Sequence, residues 1–177
     1  MDFLSPPLKR GGADGGSQAA LSALFQMHGG QLVRTAVLLT RDDGLAEEVV
    51  QEAFLGLQRR WLRKGPPESP EAYLRTSVVN GCRSALRRRT VAARAKVVHP
   101  VPEASAEASA LLREEQAQVL GALDGLPRRQ REVVVLRFYL GLDDQEIAAA
   151  LGVSRGTVSS TISRALRSLA ELLRGQG

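Results

Sequence analysis

Apolar residues recur every three or four positions along most of this chain, and this spacing constrains the fold more than any other feature. In the first such stretch Leu21, Leu24, Leu32, Ala36 and Leu39 fall on one face of a helix. No segment shows the sustained alternation of apolar and polar residues that a half-buried strand requires. The sequence therefore predicts an all-α protein.

Breaks in the periodicity divide the chain into segments. Residues 1–17 are rich in glycine and proline and predict a disordered tail, and residues 97–109 have the composition of a flexible linker. Two small helical domains are expected on either side of the linker, over residues 18–96 and 110–174. Asp42 or Asp43 can cap the second helix of the first domain. The third helix of that domain is expected to begin at Pro70.

The second domain contains a helix-turn-helix pattern in the segment QEIAAALGVSRGTVSSTISRAL. Asp143 and Glu146 stand at capping-box spacing, Gly152 is expected to end the first helix, and Ser154 can cap the second. Arg128, further upstream, is expected to contact phosphate. The early residues of the second helix are those that meet base edges in a DNA groove. The candidate base-reading residues are Arg155, Thr157, Ser159, Ser160, Ser163 and Arg164. The alternative is a helical hairpin whose polar residues only face water.

Almost all of the positive charge excess lies in residues 71–102, which carry seven basic side chains and one acidic side chain. Such a block is typical of a site for polyanions, although cations at a helix C-terminus also interact favourably with the helix dipole. Tyr73 and Asn80 on the same helix favour nucleic acid, because a ring can stack on a base and an amide can read one. The basic residues are Arg75, Arg83, Arg87, Arg88, Arg89, Arg94 and Lys96.

Acidic residues crowd the start of the second helix. The surface expected to bind a basic protein partner consists of Glu47, Glu48, Gln51, Glu52 and Leu55. No histidine or nucleophile accompanies these carboxylates, so no catalytic residue is predicted and the protein is not expected to be an enzyme.

Composition argues against several further classes of protein, including metalloproteins, secreted proteins and membrane-spanning proteins. Cys82 is the single cysteine and is expected in the core, while His28 and His99 lack partners for catalysis or metal binding. No metal site or cofactor is therefore predicted. The N-terminal segment has no apolar signal-peptide core, and no apolar run reaches membrane-spanning length. A cytoplasmic protein without membrane insertion is expected.

Three segments, in order, resemble the core-polymerase-binding, promoter-melting and promoter-recognition regions of extracytoplasmic-function sigma factors of the sigma-70 family. They are LAEEVVQEAFLGLQRRW, SPEAYLRTSVVNGCRSALRRR and LDGLPRRQREVVVLRFYLGLDDQEIAAALGVSRGTVSSTISRALRSL. The resemblance implies a transcription initiation factor that binds core RNA polymerase, through its beta-prime and beta subunits, and promoter DNA. An anti-sigma factor is a further partner compatible with the resemblance.

The resemblance also implies roles for particular residues. Glu47, Glu48, Gln51, Glu52 and Phe54 match the motif that grips the beta-prime coiled coil. The residues implied in minus-ten recognition and strand capture are Arg63, Lys64, Tyr73, Asn80, Arg83, Arg87, Arg88 and Arg89. Residues 155–164 match the helix that reads the minus-thirty-five element. Many relatives have aspartate where this chain has Ser84, a departure that resembles the arginine-rich actinobacterial branch.

Two alternatives remain from the sequence. A conventional helix-turn-helix regulator would bind duplex DNA as a dimer without polymerase, but no dimerisation helix is evident. A small nucleic-acid-processing enzyme would need a constellation of histidine, carboxylate or cysteine side chains that the sequence does not suggest.

Overall fold

The structure, a computed structural model, describes residues 13–95 and 121–174, and every regular element within those ranges is helical. Residues 121–125 are helical, and the helix Arg128–Val134 continues directly into a π-helical segment, Val135–Tyr139. The all-α prediction is confirmed. The six labelled helices are α1 (Ala13–Thr40), α2 (Asp43–Lys64), α3 (Pro70–Ala95), α4 (Arg128–Val134), α5 (Asp144–Leu151) and α6 (Arg155–Arg174).

The predicted helix caps are present. The Asp42 carboxylate accepts a hydrogen bond from the amide of Leu45 at 2.8 Å, which settles the choice between Asp42 and Asp43. Ser69 accepts from the amide of Ala72 at 3.2 Å, one residue before α3 begins at Pro70. These side chains satisfy amide groups that have no partner within their own helix, so the local sequence fixes where α2 and α3 begin.

Two features differ from the sequence predictions. Helix α1 begins at Ala13, so the last residues of the predicted tail are helical; Ser17 and Leu21 are buried there, and packing outweighs the low helix propensity of the neighbouring glycines. Phe138 stands at helical spacing from Val134 and Val135 in the sequence, which predicts a helix that carries all three apolar residues, but its side chain is 63% exposed. Phe138 lies within the π-helical turn, which changes the angular position of its residues relative to a regular α-helix and explains this outward placement. The predicted linker, residues 97–109, lies outside the described residues.

The first three helices pack around a common apolar core. Cys82 is fully buried in it, as predicted, and burial raises the pKa of its thiol to about 12. Trp61, at helical spacing from Phe54 and Leu57, packs against the same core. The most deeply buried side chains of this core include Leu57, Leu74, Val50, Val78, Val79 and Thr35.

Helices α5 and α6 form the predicted helix-turn-helix. Gly152 lies between them with a φ of 64°, a left-handed conformation that a glycine adopts without steric cost. Ile147, Leu151 and Val158 are buried at the contact between the two helices. The capping box at the start of α5 is complete, since Asp143 and Glu146 each accept from the other's backbone amide.

The two helical units contact each other directly. One buried apolar cluster includes Leu32 and Val79 of the first unit together with Leu136 and Ile147 of the second. Leu38 of α1 also packs against a smaller cluster in the second unit. This packing therefore sets the positions of α2 and α3 relative to α6.

Candidate nucleic-acid and protein-binding surfaces

The acidic residues of α2 lie on one exposed side of the helix. Val49, Val50 and Ala53 point into the core and leave their polar neighbours in solvent. Leu55, on the same side of the helix, is 45% exposed and is an apolar side chain within a charged surface. We call this surface the acidic face; it consists of Glu47, Glu48, Gln51, Glu52 and Leu55, all exposed.

Charge on the acidic face is largely uncompensated by close contacts. Glu52 pairs with Arg59 at 3.4 Å, and both side chains are more than half exposed, so this pair is screened by solvent. Exposed carboxylates around a partly exposed leucine suit a basic protein surface that also offers apolar contact.

Asp42 lies outside the acidic face and is already engaged. In addition to the Leu45 amide, its carboxylate accepts a hydrogen bond from Arg89 at 2.6 Å. These two interactions lower the pKa of Asp42, with the backbone hydrogen bond as the larger cause. Arg89 therefore links the end of the basic block to the start of α2.

The structure divides the arginines of α3 between different surroundings. Arg87 and Arg88 are exposed, whereas Arg83 is half-buried and donates a hydrogen bond to the carbonyl of Ala150 at 2.7 Å. Arg89 is held by Asp42. Of these four arginines, Arg87 and Arg88 therefore face solvent, whereas Arg83 and Arg89 each have a close partner within the protein.

Tyr73 and Asn80 line two adjoining depressions on the surface of α3. Tyr73 lines a groove between α2 and α3, and the Arg60 guanidinium lies 6.0 Å from the centre of its ring. Asn80 lines a cleft between α3 and α4, and Ser84 borders both depressions. The two predicted recognition residues are therefore close along one helix but are not in a single pocket. Arg63 and Lys64 are exposed at the end of α2.

Helix α6 presents the predicted base-reading residues to solvent. Its opposite side buries Val158, Thr161 and Ala165. Arg164 donates to the carbonyl of Ser160 at 3.3 Å, and its side chain lies along the helix surface. The six candidates, Arg155, Thr157, Ser159, Ser160, Ser163 and Arg164, are all exposed.

Arg128 belongs to a small charge cluster that the sequence interpretation missed. Glu132 is buried, with a side chain only 5% exposed, and accepts hydrogen bonds from Arg128 at 3.0 Å and Arg129 at 3.5 Å. The separations of four and three residues along a helix could have identified the pairs. Arg131 is also buried, which lowers its pKa. Glu132 fixes the positions of the two exposed arginines.

Over the ranges that the structure describes, no group of three or more histidine, cysteine, aspartate or glutamate residues could hold a metal ion. Within the same ranges, none of the helices is both long and apolar enough to cross a membrane.

Comparison with protein families identifies both units. The family described as Sigma-70 region 2 matches residues 24–91, and the family described as Sigma-70, region 4 matches residues 116–169. The chain is 35% identical over 147 residues to the RNA polymerase sigma-E factor of Streptomyces avermitilis, covering 80% of this chain and 78% of that protein. It is 34% identical over 160 residues to the ECF RNA polymerase sigma factor SigM of Mycobacterium tuberculosis, covering 89% and 79% respectively.

Solved structures show the same fold. The structure of CnrH in complex with the cytosolic domain of CnrY matches with a TM-score of 0.64 and 28% identity, over 93% of this chain and 94% of that one. The sigma factor RpoE in complex with the anti-sigma factor NepR from Bartonella quintana matches with a TM-score of 0.67 over 88% and 97%, at 24% identity.

The two helical units and their charged surfaces define a helical DNA-binding transcription protein. The chain belongs to the extracytoplasmic-function group of the sigma-70 family. As a sigma factor it binds core RNA polymerase and promoter DNA and directs transcription initiation. Sigma factors are non-enzymatic initiation factors. A match to region 2 over residues 24–91 is not expected of a conventional helix-turn-helix regulator, so that alternative is set aside.

Proposed function

We propose that this sigma factor uses three separate surfaces to bind polymerase, to hold the melted strand and to recognise the promoter duplex. The acidic face of α2 binds a basic coiled coil of the polymerase, α3 holds the melted minus-ten strand, and α6 reads the minus-thirty-five duplex. The observation that carries this proposal is the exposure, on separate helices, of an acidic face, a pair of arginines and six polar residues of a helix-turn-helix second helix. We propose the same domain boundaries as the sequence predicts, 18–96 and 110–174.

The chemistry of each surface suits its proposed target. A melted strand offers phosphates and unstacked bases, which Arg87, Arg88 and the aromatic ring of Tyr73 complement. Asn80 supplies an amide able to read a base edge, and Arg63 and Lys64 add positive charge at the neighbouring helix end. On duplex DNA, Arg155 can fork onto guanine while Arg128 contacts phosphate.

Catalysis is assigned to the polymerase rather than to this chain. The acidic face itself carries no histidine or cysteine that could form a catalytic pair with its carboxylates. We further propose that the protein acts in the cytoplasm, where the polymerase and the chromosome are found.

An anti-sigma partner is a separate proposal, supported by two structural relatives that were solved as complexes: RpoE with NepR, and CnrH with the cytosolic domain of CnrY. Purification of the tagged protein from its own host, followed by mass spectrometry, tests it. A complex that contains a stoichiometric partner but no polymerase subunits, with a partner that blocks core binding, supports the proposal. Recovery of polymerase subunits alone contradicts it.

Permanganate footprinting tests the role proposed for α3, because it detects unpaired thymines in the promoter. Holoenzyme containing the wild-type protein should make the minus-ten region reactive. Holoenzyme with Asn80→Ala should bind the promoter but show altered base preference in that region, since only the reading of the melted base is lost. A control, Thr76→Ala, changes an exposed residue of α3 outside the candidate set and should behave as wild type. Identical base preference in the Asn80 and wild-type proteins would contradict the assignment.

A further inference from the structure

The cleft between α3 and α4 gathers arginines from both helices. Arg83 and Arg87 line it from α3, one turn apart, and Arg128 and Arg129 line it from the start of α4. Among the described residues of its lining, Glu132 alone is acidic, so positive charge is in clear excess. We call this depression the arginine cleft.

Three of the four guanidinium groups are held in place by acceptors within the protein. Arg83 donates through Nη1 to the carbonyl of Ala150 at 2.7 Å. Arg128 donates through Nε to Glu132 at 3.0 Å, and Arg129 donates through Nη1 to the same carboxylate at 3.5 Å. Each bond uses one nitrogen of a group that carries several N–H donors, so further donors remain for a ligand. Because these side chains are positioned in advance, binding costs less conformational entropy.

Glu132 shields little of this positive charge from solvent. Its side chain is only 5% exposed, whereas the side chains of Arg128 and Arg129 are 44% and 59% exposed. Arg87 is exposed and has no acceptor among the described residues. Like charges gathered in a concave surface strengthen the local potential and attract counter-ions. An anion from solution would therefore supply the acceptors that the described part of the protein does not.

The size and lining of the cleft indicate the kind of anion. The cleft encloses about 480 Å³, a volume typical of sites for small ligands. The planar fork of a guanidinium matches the oxygens of a phosphate group, often through two parallel hydrogen bonds. Four such forks on two walls suit a ligand with several anionic groups in a short length. A chain of linked phosphates has this property.

We propose that the arginine cleft binds a small molecule that carries a chain of phosphate groups, held between the arginines of α3 and those of α4. A bound ligand would occupy Arg83 and Arg87, which are proposed to hold the melted strand. Ligand and strand would then exclude each other from these two side chains. That consequence rests on the proposed function, whereas the site itself does not.

Equilibrium dialysis of the full-length protein with radiolabelled inorganic triphosphate tests the site. The buffer contains no divalent cation, because magnesium would bind the phosphate oxygens in competition with the protein. Saturable binding of one triphosphate per protein molecule is expected. Sulfate, at matched ionic strength, should compete at least about tenfold more weakly, because it offers a single anionic group to fewer guanidinium forks. Absence of saturable binding, or equal competition by sulfate, overturns the proposal.

One variant from each wall tests whether both helices contribute. Arg129→Ala leaves Glu132 with its nearer partner, Arg128. Arg87→Ala removes no contact among the described residues. Each variant should weaken triphosphate binding about tenfold, the usual effect of losing a charge-assisted hydrogen bond, and reduce the rise in melting temperature that the ligand causes. Arg167→Ala, at an exposed position of α6, makes the same change in net charge and should bind as wild type. Equal losses in all three variants would indicate attraction by net charge alone and overturn the proposal.

Unlabelled competitors identify the source of the phosphate chain. Adenosine triphosphate should displace the label, and an advantage over inorganic triphosphate that is lost in Asn80→Ala would assign the site to a nucleoside polyphosphate, since an amide can bind a base edge. Equal displacement would assign it to the phosphate chain alone. A single-stranded tetranucleotide should compete at least about tenfold more weakly, because its phosphates carry one charge each and are separated by sugars. Equal competition by the tetranucleotide, through the arginines of both walls, would place the cleft in the strand-binding surface and overturn the proposal.

Failure of this proposal is distinguishable from failure of the proposed function. Without triphosphate binding, promoter-dependent transcription by the wild-type protein and core polymerase would remain. Triphosphate binding without such transcription would remove the proposed function and leave the site.

Discussion

At the scale of single residues, Asp42 shows how one side chain serves both folding and the arrangement of a binding surface. Its carboxylate caps α2 and binds Arg89, the last member of the arginine run on α3. The capping role was predictable from local sequence, because it involves a residue three positions away. The pairing with Arg89, 47 positions away, was not predictable from local sequence, because it depends on the packing of α3 against α2.

Asp42→Ala should destabilise the protein by about 0.5–2 kcal/mol, the usual effect of losing a side-chain cap. The pKa of Asp42 is lowered from 3.8 in the folded state, so its contribution is complete above that pH and is lost as the pH falls through the folded value. Urea unfolding at about pH 7 and about pH 3 measures both effects. Asp42→Asn keeps a capping side chain without the charge and should lose less stability at neutral pH. Equal stability of the alanine variant and wild type at neutral pH would contradict the account.

Arg155 and Arg128 differ in their surroundings and should differ in their effects on DNA binding. Arg155→Ala should weaken minus-thirty-five binding by about 1–3 kcal/mol and relax preference at one base pair. Arg128 is exposed and pairs with buried Glu132; because a phosphate contact carries no sequence information, Arg128→Ala should weaken all sequences alike. Competition binding by holoenzyme to a library of minus-thirty-five variants separates the two. Uniform loss in both variants would refute base reading by Arg155.

At the scale of helices, the sequence predicted most of the fold because caps and periodicity are local. Helix α3 begins at Pro70, and α5 begins after Asp143 and ends at Gly152, as expected. The position of Phe138 could not be predicted, because a π-helical turn changes the register of an otherwise regular pattern. The exposure of each predicted DNA-reading residue on α6 followed from the apolar spacing of that helix. The hydrogen bond from Arg83 to the carbonyl of Ala150 could not be predicted, because it depends on the packing of the two units.

Reversal of charge on the acidic face should weaken core binding. Glu48→Lys with Glu52→Lys places two cations where an acidic surface is proposed to meet a basic one, so the loss should be larger at low salt. Fluorescence titration with core polymerase, at two salt concentrations, measures it. Glu171→Lys, on an exposed position of α6, serves as the matched control. Core affinity equal to that of wild type in the double variant would exclude this face.

The exposed arginines of α3 should contribute to promoter opening through phosphate contacts. Arg87→Ala with Arg88→Ala should reduce open complexes and flatten their salt dependence, because fewer counterions are released. Arg89 is left intact, since its removal would also disturb Asp42. Core binding should be retained. Permanganate reactivity on closed and premelted promoters is the measurement, and normal reactivity on both templates would show that the two arginines only solvate the helix.

At the scale of the whole molecule, the region 2 and region 4 units pack directly on one another. They share a buried apolar cluster, and Arg83 of α3 donates a hydrogen bond to the carbonyl of Ala150 near the end of α5. The surroundings of Arg83 therefore depend on contacts that neither unit makes alone.

Run-off transcription tests the central claim, that this chain directs initiation by core polymerase at specific promoters. Purified core enzyme and wild-type protein are incubated with fragments of the host genome, and transcripts are mapped to their start sites. The account predicts discrete transcripts that require both components, with a shared pair of sequence elements upstream of each start. Transcripts that are unchanged when this protein is omitted, or no specific transcript from any fragment, would contradict it.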